Sequence, residues 1–325
     1  VSPSSAGTPP AIATRGLTKQ FDKVRALDGV DMSVPRGSVY GFLGPNGAGK
    51  TTALRILAGL ARPTSGSAFI LGRDVVAATN EVRSLLGFLP DVPGFYPWMT
   101  APEFLRFSGE LFGLGGAELE DRVGALLALS GLEGVNNKIG GYSRGMKQRL
   151  GIAQALINAP ELLMLDEPTS ALDPIGRKEV LEMIGALGGR TTVFFSTHIL
   201  SDVERVCDHV AILNKGRIVT QASIAELKDR RGEDRVVLEV EGPPGDAASG
   251  DAAARLAGRL EGSPWLLNIE RTGNGRLLLA VADLPAAQRA IPQAVGALEL
   301  GLRRMEIEEA SLENVFVELV GESAL

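Results

Sequence analysis

The chain has 325 residues, 45% of them apolar, which excludes global disorder and leaves room for one large and one small domain. A formal net charge of −6 argues against a nucleic-acid binder, and no nucleic-acid partner is expected. A single cysteine, Cys207, excludes an internal disulfide framework, and no apolar run reaches the roughly 18 residues of a membrane-spanning helix.

The opening VSPSSAGTPPA has neither the basic nor the apolar region of a signal peptide, so residues 1–10 are expected to be a disordered tail on a soluble chain. Continuous apolar runs then predict strands buried on both faces at Val39–Leu43, Leu86–Leu89, Leu162–Leu165, Val193–Phe195 and Val210–Leu213. Helical patterns such as Lys50–Leu60 and Pro174–Leu187 separate them, which argues for a mostly parallel α/β sheet. Between Pro102 and Ala159 no strand-like run occurs, so a helical subdomain at about 95–159 is expected as an insertion. The composition shifts again after Gly232. From there a strand (Val236–Val240), a Gly/Pro/Asp/Ala loop, a helix (Ala252–Leu260), two strands (Trp265–Arg271 and Arg276–Val281), a helix (Pro285–Ala297) and a last strand (Leu302–Ile307) follow. The order β-α-β-β-α-β predicts a small ferredoxin-like α+β domain over 231–325, after a main domain over 11–230.

Two motifs carry chemistry. GPNGAGKTT, Gly44–Thr52, sits between a buried strand and a helix and fits the phosphate-binding pattern G-x-x-x-x-G-K-T. Glycines let successive N–H groups approach a phosphate, and the helix N-terminus adds partial positive charge. Gly44, Asn46, Gly47, Ala48, Gly49, Lys50, Thr51 and Thr52 are therefore expected to contact a nucleoside triphosphate, with Lys50 reaching its outer phosphates and the Thr51 hydroxyl ligating Mg2+. LLMLDEP then places Asp166 and Glu167 at the carboxyl end of a buried strand, where open α/β sheets bind their ligands. Asp166 is expected to hold Mg2+ and Glu167 to act as the general base toward water.

With these residues in place the chain resembles the ATP-binding subunits of ABC transporters over about residues 11–230, a P-loop NTPase core of ABC type. YSRGMKQRLGIAQAL (142–156) is similar to the family's signature motif, SALD (170–173) to its D-loop, and STH (196–198) to its histidine switch. The resemblance implies that Phe21 stacks on adenine, that His198 orients the γ-phosphate and water, and that Asp173 lies by the nucleotide. It also implies that Ser143 and Gly145 contact ATP held by a second copy or by a homologous ATPase subunit. Independently of the family, Ser143 opens an amphipathic helix with Met146, Leu150, Ala153 and Ile157 on one stripe, whose free N–H groups form a second anion site.

Two positions depart from the family's pattern. Asp91 stands near the usual glutamine of the loop entering the helical subdomain; contact with Mg2+ through water and a plain turn role both stay open. Arg144 and Met146 replace a glycine and a glutamine, a variant that resembles drug- and antibiotic-resistance exporters. The resemblance implies an ATPase driving export through a separate polytopic membrane subunit at the cytoplasmic face, with the aromatic stretch GFYPWMT (94–100) docking on that subunit. The rivals are a soluble ATPase of the same family acting on nucleic acid or ribosomes, and a non-hydrolysing ATP-gated scaffold. His209 and Cys207 are read as structural, and the closing SLENVFVELVG (311–321) as part of a non-catalytic accessory module.

Overall fold

Apolar strands with no polar face need cover on both sides, and the chain supplies it from intervening helices. A computed structural model describes residues 8–229, 234–242, 249–273 and 275–308. Most of the expected N-terminal tail, the loop residues 243–248 and SLENVFVELVG lie outside them. The chain divides into two compact units between Ile224 and Ala225, a few residues ahead of the composition shift.

In the first unit the elements run β1 (Ile12–Phe21), β2 (Val24–Val34), β3 (Val39–Leu43), α1 (Lys50–Leu57), β4 (Ser65–Ile70), β5 (Arg73–Asp74), α2 (Thr79–Leu85) and β6 (Leu86–Leu89). Then come α3 (Ala101–Leu111), α4 (Gly116–Leu129), α5 (Arg144–Ala155), β7 (Leu162–Asp166), α6 (Pro174–Leu187), β8 (Thr192–Thr197), α7 (Leu200–Val206), β9 (His209–Asn214) and β10 (Arg217–Ser223). A six-stranded sheet has the order β10-β9-β3-β8-β7-β6, parallel except for β10. Every residue of β3, β7 and β8 is buried, as continuous apolar runs require. Expected strand positions match, with one or two residues added at ends where the ladder continues.

A second sheet, β2-β1-β4-β5, is antiparallel and was not anticipated. Its strands carry Thr, Lys, Arg, Asp and Gly on their open face and three bulges in one pairing, so the alternation of period two is broken. Helix α1 stops at Leu57 instead of Leu60, because Gly59 takes φ 67° and the N–H groups of Gly59 and Leu60 turn back onto the carbonyls of Ile56 and Arg55. Between β6 and β7 there are only helices, as expected. Thr100 opens α3 with a reciprocal capping box to Glu103. Helix α5 buries more than the expected stripe: Gly145, Gln148, Leu150, Gly151, Ile152, Ala153 and Ala155 are all covered, so it runs through the middle of the subdomain.

The chain continues through α8 (Ile224–Asp229), β11 (Asp234–Glu241), α9 (Ser249–Leu260), β12 (Leu266–Gly273), β13 (Arg276–Val281), α10 (Leu284–Ala297) and β14 (Gly301–Glu308). The sheet order β12-β13-β11-β14, antiparallel throughout, is that of a split β-α-β ferredoxin-like unit. Val236, Leu238 and Val240 of β11 meet Ala253, Leu256 and Leu260 of α9 and Ala287, Ile291 and Val295 of α10 in one apolar cluster.

A unit with its own core should unfold as its own transition. Leu256 has no exposed surface, so Leu256→Ala is expected to cost about 2–5 kcal/mol. Calorimetry of the full chain should show this loss in a transition that ATP does not shift. A uniform drop of a single transition would show that both units unfold together.

Candidate functional site

The site begins with register. In the parallel sheet Leu43 lies opposite Thr197, and Asp166 opposite Ser196. The residues that follow β3, β7 and β8 therefore leave the sheet side by side at its carboxyl edge.

Gly44 turns the chain out of β3. A Cβ there would stand 2.3 Å from the Leu213 carbonyl oxygen of β9, so only glycine fits. Gly49 closes the loop with φ 110°, and a Cβ on it would lie 2.3 Å from the Ala26 carbonyl oxygen of β2. The loop is further held by Gly44 N–H donating to Thr197 O and Gly216 N–H donating to Ala48 O. Helix α1 starts with no capping side chain and no acidic residue in its first turn, so its free N–H groups and positive end remain available to an anion.

Lys50 is only 6% exposed. Its ammonium donates to Gly44 O at 2.7 Å and Pro45 O at 3.2 Å, and pairs with Glu167 Oε1 at 3.1 Å. The other Glu167 oxygen meets His198 Nδ1 at 2.9 Å. An ionised carboxylate only accepts, so Nδ1 carries the proton in this contact, whichever role Nε2 takes. Glu167 itself sits at φ 49°, a strained conformation for a side-chain-bearing residue, of the kind that collects at functional sites. Asp166, buried, accepts from Ser196 Oγ at 2.6 Å and from Thr51 Oγ1 at 3.2 Å. Ser196 Oγ also accepts from the Glu167 N–H at 2.9 Å. Burial pushes the Asp166 carboxyl above its ordinary range; the Ser196 and Thr51 hydroxyls pull it down, and the neighbouring charges of Glu167 and Asp91 raise it further. An added cation would relieve that crowding. The Thr51 hydroxyl beside the Asp166 carboxylate is a hard-oxygen pair that suits Mg2+, which is commonly held by one or two protein oxygens together with phosphates.

Lys50, Thr51, Asp166, Glu167 and His198 are thus joined by direct contacts. Ser143, Gly145 and Asp173 are not joined to them by any hydrogen bond among the described residues. Ser143 caps α5 by accepting from Met146 N–H at 3.1 Å, and Asp173 caps α6 by accepting from Gly176 N–H at 3.3 Å. Gly145 faces Gly176, to whose Cα an added Cβ would come within 3.6 Å. Phe21, 49% exposed at the end of β1, has the Lys19 ammonium 4.8 Å from its ring centroid. Asp91 accepts from Ser170 Oγ at 3.3 Å. Cys207 is buried and its thiol is pushed well above the ordinary range by burial, as suits an inert residue. The ring of His209 stacks on Tyr40 at 6.1 Å.

Sequence reasoning missed Ser196 as the bridge between Asp166 and Glu167, and missed Thr169, Arg177 and Asp202 altogether. The available signal was a hydroxyl pair ending an otherwise apolar buried strand, since such a group must find a partner.

A glycine-walled anion loop facing an Asp–Glu strand end defines a P-loop nucleoside triphosphatase. Comparison with known proteins narrows that class. A family model described as ABC transporter matches residues 27–170. The chain is 39% identical over 310 residues, 95% of its length and 99% of the relative's, to an uncharacterized ABC transporter ATP-binding protein of Bacillus subtilis. It is 34% identical, over 97% of its length and 93% of the relative's, to a daunorubicin/doxorubicin resistance ATP-binding protein of Streptomyces peucetius. A bacitracin transport ATP-binding protein of Bacillus licheniformis is 43% identical over 67% of the chain and 72% of the relative. Among solved structures, an ATP-binding cassette described as dimeric, post-hydrolysis and bound to ADP and Pi superposes with a TM-score of 0.59 at 26% identity, over 66% of this chain and 98% of that one. The chain belongs to the ABC transporter ATP-binding family, and it is an ATPase of that family.

Gly44→Ala should force β3 and β9 apart where the loop starts, costing about 1–3 kcal/mol of stability. ATP affinity, measured by titration of a fluorescent analogue, should fall by about tenfold or more.

Proposed function

We propose that this chain is the motor of a drug- or antibiotic-type exporter, working at the cytoplasmic face on a separate polytopic membrane subunit. The observation that carries the chemistry is the Glu167 carboxylate, set between the Lys50 ammonium at 3.1 Å and His198 Nδ1 at 2.9 Å beside the phosphate loop. Lys50 exchanges its loop carbonyls and Glu167 for the outer phosphate oxygens of ATP. Glu167, released from that pair, takes a proton from water as the water oxygen bonds to the γ-phosphorus; the bond from the γ-phosphorus to the β,γ-bridging oxygen breaks with its electron pair left on ADP, so ADP and phosphate are the products. His198 keeps Glu167 in place through Nδ1–H; its Nε2 accepts from the water in the neutral ring and donates to the terminal phosphate when the ring is protonated. Thr51 and Asp166 would hold Mg2+, which supplies charge neutralisation across the outer phosphates. Phe21, half exposed with Lys19 over its ring, is the candidate to stack on adenine, while Asn46, Gly47, Ala48 and Thr52 complete the loop. Catalysis of this kind rests on positioning and charge stabilisation.

The second anion site, at Ser143 and Gly145, has no nucleotide of its own to meet. Its place on α5, unconnected to the cradle, supports a head-to-tail pair in which it caps the γ-phosphate held by another copy, with Asp173 at the same seam. The dimeric description of the solved relative favours this pairing.

Docking on the membrane subunit is supported by the aromatic stretch. Phe95 turns inward against Phe104 at 5.3 Å, whereas Trp98, 65% exposed, leans on Tyr96 at 5.3 Å. Beside them a cavity of about 430 Å³ is lined by Phe95, Tyr96, Phe104 and Phe107. Open aromatic side chains next to an apolar cleft are what a helix of a partner fills. Resistance and transport roles in the names of two relatives favour an exported, drug-like cargo.

Glu167→Gln should retain ATP binding and lose turnover by about 100-fold or more, read as phosphate release. With ATP it should elute at twice the monomer mass. Normal hydrolysis would refute Glu167 as base, and a monomer at saturating ATP would refute the paired arrangement.

A further inference from the structure

Glu167 and His198 hang from different strands, and small misplacements of reacting groups are costly in rate. Their 2.9 Å contact therefore needs both segments fixed. The loop leaving β7 looks poorly suited to that: Glu167 has φ 49° and Ala171 has φ 52°, two side-chain-bearing residues in the left-handed region within five positions. Such conformations persist only where the surroundings over-determine them.

Midway between the two lies Thr169, nearly fully buried, whose hydroxyl donates to Asp202 Oδ2 at 2.6 Å. Asp202 stands in the first turn of α7, four residues after His198, with no exposed surface. Its other oxygen accepts from Arg177 Nε of α6 at 2.6 Å, and Arg177 Nη2 donates to Ser201 Oγ at 2.7 Å. A buried carboxylate is tolerated when both oxygens are bonded, and charge-assisted bonds of this length are strong. One side chain thus ties together the loop carrying Glu167, the helix that Asp173 caps, and the segment carrying His198. Among the described residues no hydrogen bond joins Thr169 or Asp202 to the phosphate loop.

We propose that Thr169 and Asp202 are positioning residues for ATP hydrolysis: their bond fixes the Glu167 loop against the His198 segment and so sets the geometry of that pair. The inference rests on the reading of Glu167 and His198 given above. It makes the loop after the carboxylate pair and the start of α7 move as one body, so that a shift at the Asp173 seam reaches His198 as well as Glu167.

Thr169→Val keeps the shape and removes the donor; Thr169→Ser keeps the donor. In steady-state ATP hydrolysis by the full chain, Thr169→Val should lose roughly ten- to a hundredfold in kcat. Its KM should stay within about twofold, and Thr169→Ser should remain near wild type. In a His198→Ala background Thr169→Val should add little, since it acts through that contact. Full kcat in Thr169→Val, an equal loss in Thr169→Ser, a proportionate rise in KM, or additive losses with His198→Ala would each overturn the proposal. Should Thr169→Val not fold, Thr169→Ala, which also removes the donor, is read against the same criteria. Glu167→Gln run alongside separates the two failures. Normal turnover there sinks the underlying reading of the pair, whereas arrested turnover with Thr169→Val at full kcat sinks only the positioning role.

Discussion

The parallel register of β3, β8 and β7 is the constraint on which the site depends. Because Leu43 lies opposite Thr197 and Asp166 opposite Ser196, three chain segments far apart in sequence leave the sheet at one edge. Each then turns over within a residue or two: Gly44 into the phosphate loop, Glu167 through a left-handed φ, His198 into the approach to α7. A slip of one residue in any of these ladders would reverse which side chains face the site. Full burial of all three strands makes such a slip costly, so the core and the site are specified by the same apolar packing.

Within that frame the charges are arranged as a chain of exchangeable partners. Lys50 is held by backbone carbonyls and one carboxylate, Glu167 by Lys50 and His198, and Asp166 by two hydroxyls. Asp166 and Glu167 are adjacent in sequence yet differently housed. Asp166 is sealed and burial raises its carboxyl above the ordinary range, while Glu167 keeps a sliver of exposure and a strained backbone. The difference is environmental, since the side chains differ by one methylene.

The residues expected to contact nucleotide fall into two sets. The loop, the carboxylate pair and His198 are bonded to one another. Ser143 and Asp173 serve within the chain as helix caps, each spending its side-chain oxygen on a backbone N–H of its own first turn. Their helices still end in free N–H groups, so capping and anion binding by the same helix end are compatible.

The sequence by itself determined the buried strands of the main sheet, the all-helical stretch between β6 and β7, the phosphate loop and the Asp166–Glu167 strand end. It also determined the β-α-β-β-α-β order of the second unit. In each case the signal is local: a continuous apolar run, a fixed spacing of glycine and lysine, or a change in period. The antiparallel sheet β2-β1-β4-β5 escaped because bulges and a polar open face erase its alternation. Only the tertiary structure decided that Lys50, Glu167 and His198 touch, that Ser196 bridges the two carboxylate residues, and that Thr169, Arg177 and Asp202 share one buried knot. The tertiary structure was needed because these contacts join residues 25 to 117 positions apart, set by strand order and register, and no short-range pattern encodes which strand ends become neighbours.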